Sequence, residues 1–127
     1  MSSKGTLPER RSEMTADLRA RASTTNNDQA RKALTSAAVL TAGSHKGPRE
    51  AAAGIADLAE ELFDDGDAEL MAAHWALRTT AATLGADAIG DARSRGEEIS
   101  MIELTGLLLL SAEASAQETN YQGLAEQ

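Results

Sequence analysis

The sequence predicts an all-α fold, a small bundle of about four to six helices with a core rich in alanine and leucine. Alanine occurs 26 times and leucine 15 times in the 127 residues, and both are strong helix formers. The residues that favour strands are scarce, with one valine (Val39) and three aromatic residues, Phe63, Trp75 and Tyr121. Apolar residues recur at intervals of three and four, which is typical of helices buried on one face.

The length predicts a single α-helical domain over residues 1–127. Within it we expect a basic N-terminal helix or arm over residues 1–25, the bundle over 28–118 and a flexible polar tail over 119–127.

Capping residues mark the first two helices. Thr6 and Glu9 have the spacing of a capping box, with a proline in the first turn. This helix is expected to run to about Ala22. Asn27 is then expected to cap a second helix, which Gly43 ends.

Two more helices follow the breaker at residues 43–48. The third begins at Pro48, and its predicted buried stripe is Ala51, Ile55, Leu58 and Leu62. Asp67 is expected to cap the fourth, whose predicted stripe is Leu70, His74, Leu77, Ala81 and Leu84. We expect Gly85 to end or bend this helix, leaving a short, weak helical segment over residues 86–95.

The last helix is expected from about Glu97 to Glu118, with Ser94 and Glu97 in a second capping-box spacing. It is apolar on nearly every face over residues 99–110, and such a helix is enclosed by other helices or by a second subunit. We therefore expect it at the centre of the bundle. An alanine buries little more than one methyl, worth about 0.8 kcal/mol. We therefore expect the monomer to be marginally stable, and for that reason we expect a homodimer.

Composition also bears on the compartment. The chain has no cysteine, which excludes disulfides and thiolate-bound metals. Residues 1–11 are polar and carry no apolar signal core, and residues 99–110 are too short to span a bilayer. We expect a cytoplasmic protein with no membrane contact. The excess of arginine over lysine, with abundant alanine, suggests a GC-rich prokaryotic genome.

The net charge of −8 is unevenly distributed. Residues 1–49 hold nine Lys and Arg against four Asp and Glu, whereas residues 50–127 hold three against sixteen. The densest acidic stretch consists of Asp57, Glu60, Glu61, Asp64, Asp65, Asp67 and Glu69. It is either a solvated face, a contact for the basic N-terminal segment, or a binding site for a basic protein partner. Trp75 is a candidate aromatic anchor for that site, and DNA binding is disfavoured by charge repulsion.

Residues 66–86 resemble histidine phosphotransfer domains, which are four-helix bundles that relay phosphate from receiver domains. The matching positions are Leu77, Arg78, Thr80, Ala81, Leu84 and Gly85. In this alignment Trp75 takes the phosphoacceptor position, His74 lies one residue early, about 100° around the helix, and Thr79 replaces a glycine. The resemblance implies a relay through His74. The alternative from the residues alone is a buried histidine hydrogen-bonded to a neighbouring helix.

Other chemistries lack their motifs. The turn at residues 64–67 has no EF-hand ligand pattern, no Glu-x-x-His precedes His74, and no nucleophile–base pair is evident. We expect no metal and no cofactor, and the sequence supports no catalytic residue. It therefore predicts a non-enzymatic interaction or regulatory protein. A phosphotransfer relay and a helical accessory subunit of a larger enzyme are the alternatives.

Overall fold

A computed structural model describes residues 6–43, 47–64 and 66–126, and within these ranges the chain forms five α-helices and no strand. The helices are α1 (Leu7–Thr24), α2 (Asp28–Ala42), α3 (Pro48–Glu61), α4 (Ala68–Ser94) and α5 (Met101–Ala125). The predicted all-α bundle is confirmed.

Side-chain caps begin four of these helices. The Thr6 hydroxyl accepts the N–H of Glu9, and the Glu9 carboxylate accepts the N–H of Thr6 at 3.1 Å. The Thr6 N–H and the Thr6 hydroxyl, which donates to the same carboxylate at 3.0 Å, hold the pKa of Glu9 below its ordinary value. Asn27 caps α2 and Asp67 caps α4 by accepting the N–H three residues ahead. The three predicted caps are confirmed. They could be predicted because capping depends on local sequence.

The fourth cap differs from the prediction. Ser94 is the last residue of α4, so it cannot cap the next helix, and Ser100 takes that role by accepting the N–H of Glu103 at 3.1 Å. The last helix therefore starts at Met101 instead of Glu97. It continues to Ala125, well past the expected end at Glu118.

The centre of the bundle is α4. This helix lies beside α3 and α5 and also contacts α1 and α2. Fourteen of its 27 residues are buried, against two of the 25 residues of α5. A polar residue can be buried here by bonding to its own helix, since the Thr80 hydroxyl donates to the Ala76 carbonyl at 3.0 Å.

The prediction that the last helix lies at the centre of the bundle is wrong for a single chain. The α5 helix packs along α4, and its buried residues are Ala114 and Glu118. It reaches α1 and α3 through ion pairs with Arg21 and Arg49. Ile102 is 87% exposed and Leu109 is 67% exposed. The apolar run over residues 99–110 thus forms the outside of the bundle, because α4 covers only one side of it.

Gly85 does not end α4, since the helix continues to Ser94. Instead, this glycine lies against Leu107 of α5. A Cβ atom added at Gly85 would lie 3.2 Å from Cδ1 of Leu107. One turn away, the hydroxyls of Thr83 and Ser111 lie 2.8 Å apart and form a hydrogen bond between the two helices.

Arg11 of α1 supplies the C-terminal cap of α2. Its guanidinium donates to the carbonyls of Thr41 and Gly43, both at 2.8 Å, and to that of Leu40 at 3.2 Å. The last turn of α2 contains no basic residue of its own. A cation from the neighbouring helix therefore satisfies the unpaired carbonyls and the negative end of the helix dipole.

Replacing Arg11 with Met should lower the free energy of unfolding by about 2 kcal/mol, because three carbonyls lose a charged donor. Urea unfolding followed by circular dichroism measures this loss. Arg19→Met, at an exposed position of the same helix, is the matched control and should change stability by less than about 0.5 kcal/mol. Equal effects of the two substitutions would contradict this role for Arg11.

Gly85→Val should lower the free energy of unfolding by about 1–3 kcal/mol, because the new side chain overlaps Leu107. Gly90→Val is the control on the same helix, since a Cβ atom there meets nothing within 4 Å. Valine has a better helix propensity than glycine, so the control should be neutral or stabilising. Thermal unfolding of both variants tests the contact, and a loss in both would assign the effect to propensity instead.

Candidate functional site

The acidic stretch divides into two groups. The exposed group consists of Asp57, Glu60, Glu61 and Asp64, in the last two turns of α3 and just beyond them. Asp67 and Glu69 are partly buried at the start of α4. Asp65 lies outside the described residues.

Asp67 and Glu69 hold the connection between α1 and α2 against the start of α4. One carboxylate oxygen of Asp67 caps α4, and the other accepts from the Asn27 side-chain amide at 3.4 Å. Glu69 accepts the backbone N–H of Asn26 at 3.3 Å. Their carboxylates are engaged within the chain, so these two predicted site residues have a structural explanation.

The exposed group lies in an unfavourable electrostatic position. The C-terminal end of a helix carries partial negative charge, and each acid there costs about 0.3–1 kcal/mol. Asp57 and Glu61 are also four residues apart, which places like charges side by side. Among the described residues, the ion pair that reaches this group is Arg78 with Glu60, at 3.6 Å, and Glu60 remains 70% exposed. The negative charge of this group is therefore largely uncompensated.

The N-terminal arginines do not neutralise the acidic stretch. Arg10 pairs with Asp87 of α4 at 2.5 Å, and Arg21 pairs with the buried Glu118 of α5. The basic segment thus does contact acidic residues of the second half of the chain, but at positions other than the predicted ones.

Phe63 is the aromatic residue that accompanies the exposed acids. It directly precedes Asp64, its side chain is 53% exposed, and its ring centroid lies 5.2 Å from that of His74 in an edge-to-face arrangement. We name the set of Asp57, Glu60, Glu61, Phe63 and Asp64 the acidic surface.

Trp75 and His74 form the layer below Phe63. The Trp75 ring lies 4.9 Å from that of His74, and its residue is only partly exposed. Its indole nitrogen is buried and has no hydrogen-bond partner among the described residues. The candidate anchor named from the sequence is therefore largely packed inside the bundle, while Phe63, which was not selected, is the exposed ring.

His74 is 4% exposed, and its Nδ1 donates to the Ala59 carbonyl of α3 at 2.6 Å. This is the arrangement of a buried histidine hydrogen-bonded to a neighbouring helix. A phosphoacceptor needs an imidazole that a receiver domain can reach, and this ring is enclosed between Phe63 and Trp75. The geometry thus gives no support to a relay through His74.

The described part of the chain contains no group of three or more His, Asp or Glu side chains that could hold a metal ion. None of its helices combines the length and the apolar character needed to cross a bilayer.

Comparisons of this chain with models of protein families, with curated proteins and with solved structures found no match. We therefore infer a function from the geometry of the chain itself.

His74→Leu should lower the free energy of unfolding by about 0.5–1.5 kcal/mol, because the Ala59 carbonyl loses its donor from α4 and keeps the N–H of Leu62. His74→Asn keeps a donor near the position of Nδ1 and should recover part of that loss. Urea denaturation of the two variants measures the difference. Unchanged stability in His74→Leu would show that the hydrogen bond contributes nothing.

Proposed function

We propose that this protein is a non-enzymatic interaction protein that binds a basic protein partner through the acidic surface. The observation that carries the proposal is the cluster of exposed, largely uncompensated acids around an exposed phenylalanine at the end of α3. A partner with Lys or Arg side chains would compensate the negative charge that the Arg78–Glu60 pair leaves on the described residues.

The two kinds of residue suit different steps of binding. Clustered negative charge accelerates the approach of a basic partner and disfavours acidic ones. An aromatic ring that is half exposed at the centre of such a cluster can enter a pocket of the partner and contribute most of the affinity. Phe63 is already held on its inner side by His74, so little side-chain freedom is lost on binding.

The proposal includes a cytoplasmic location, where a chain without cysteines needs no oxidising environment. If the partner is an enzyme, the protein would act as its helical accessory subunit. The buried position of His74 argues against the relay alternative.

Reversing three charges of the acidic surface (Asp57→Lys, Glu61→Lys and Asp64→Lys), with the ion pair of Arg78 and Glu60 kept, should abolish capture of the partner. An affinity pull-down from the native host at low salt, with mass identification, tests this. The same reversal at three exposed acids elsewhere, Glu13, Glu98 and Glu126, changes the net charge equally and should leave capture intact. Equal loss in both variants would indicate a nonspecific charge effect and contradict the proposal.

A second readout separates binding from folding. The reversed acidic surface should unfold at a higher urea concentration than the natural chain, because positive charge suits a helix C-terminus. Phe63→Ser should weaken partner binding at least tenfold while binding keeps its salt dependence. Trp75 is the one tryptophan and lies next to the ring that Phe63 contacts, so its fluorescence can follow the titration. Binding that does not respond to salt would refute the electrostatic part of the proposal.

A further inference from the structure

The outward side of α5 carries a stripe of residues spaced alternately three and four apart, which is the heptad spacing of paired helices. We name it the α5 stripe, and it consists of Ile102, Thr105, Leu109, Ala112, Ala116, Thr119 and Gly123. All seven are exposed and none is charged. The stripe covers 22 residues, about 33 Å of helix.

The charged residues of α5 leave this stripe free. Glu103 pairs with Arg49 of α3 at 3.1 Å, and Glu118 is buried against Arg21 of α1. Glu113 is the third charged residue of the helix, and it lies beside the stripe. In a chain of net charge −8, this is a face on which a second copy can approach with little repulsion.

The two halves of the α5 stripe differ in the size of their side chains. The N-terminal half carries Ile102 and Leu109, flanked by Met101 and Leu108, and each of these four side chains is more than half exposed. The C-terminal half contains Ala112, Ala116 and Gly123, which lie beyond Leu109. The N-terminal half thus presents large protruding side chains, and the C-terminal half presents small residues against which they can pack.

We infer that the α5 stripe is the interface of a homodimer in which the α5 helices of two copies pack antiparallel. The two-fold axis lies between Leu109 and Ala112. Leu109 then faces Ala112 of the partner subunit, and Thr105 faces Ala116 of the partner subunit. Because the contact is isologous, Leu109 meets Ala112 of the partner subunit and Ile102 meets Thr119 of the partner subunit, each twice.

The parallel arrangement fits worse. It would pair Ile102 with Ile102 of the partner subunit and leave a gap where the two copies of Gly123 meet. It would also bring together both copies of Glu98, which precedes α5 and is exposed. In the antiparallel arrangement these acids lie at opposite ends of the interface, and Glu113 lies beside Gly106 of the partner subunit.

This interface is separate from the acidic surface of α3, so it stands or falls independently of the proposed function. Light scattering coupled to size exclusion should give twice the chain mass of 13.3 kDa for the natural chain at about 50 µM. Ile102→Glu with Leu109→Glu should give the mass of one chain at the same concentration. Both residues are exposed in the isolated chain, so the variant should keep its helical circular dichroism.

Val39→Glu is the matched control, because Val39 is 61% exposed on α2 and should leave the dimer intact. A single-chain mass for the natural protein would overturn the inference, including the case in which a different protein covers the stripe. A dimer that survives the two glutamates would overturn it as well, because another face would then be responsible.

Crosslinking tests the orientation, since the natural chain has no cysteine. A mixture of Thr105→Cys and Ala116→Cys chains should form a mixed disulfide dimer under mild oxidation. Within one chain the two positions are about 16 Å apart, too far for a disulfide. Ala116→Cys alone should remain uncrosslinked, and its efficient crosslinking would indicate the parallel arrangement and overturn the inferred one.

Discussion

Close packing of small side chains around α4 is the interaction on which the rest of the bundle depends. Ala73, Ala76 and Gly85 are buried on this helix, and residues of this size let neighbouring helices approach closely. Each contributes little apolar area, so the stability of the bundle comes from many short contacts. The same arrangement brings the start of α4, with His74, under the end of α3. The acidic surface is thereby fixed to the centre of the fold.

The helix caps could be predicted from the sequence. Which helix is buried at the centre of the bundle and which is exposed could not. Thr6, Asn27 and Asp67 cap their helices because each needs only its own next three residues. The exchange of roles between α4 and α5 has a physical cause. Thr80 lies outside the predicted stripe of α4, yet its hydroxyl donates to its own helix and the residue can be buried. An apolar helix, in turn, does not reveal whether its own chain or another molecule covers it.

The candidate site was predicted in part. Its exposed acids follow directly from charge density, but Asp67 and Glu69 could be separated from them only by their contacts with the α1–α2 connection. Phe63 was missed because it lies one residue beyond the predicted stripe of α3, and Trp75 was preferred by residue type alone. The position of Phe63 just beyond the predicted stripe was the feature of the sequence that could have indicated its exposure. An aromatic residue that falls off a buried stripe and between acids points towards solvent.

The space left by the missing side chain of Gly85 has a consequence for the orientation of α5. Leu107 occupies it, and Ala114 lies buried two turns further along the same side, so the rotation of α5 about its own axis is set by α4. A turn of one residue, about 100°, would bring a different row of side chains to the outside. The angular setting of the outermost helix is thus encoded in a neighbouring helix. A change at position 85 would redirect what the molecule presents to its surroundings, even though every outward-facing residue stayed the same.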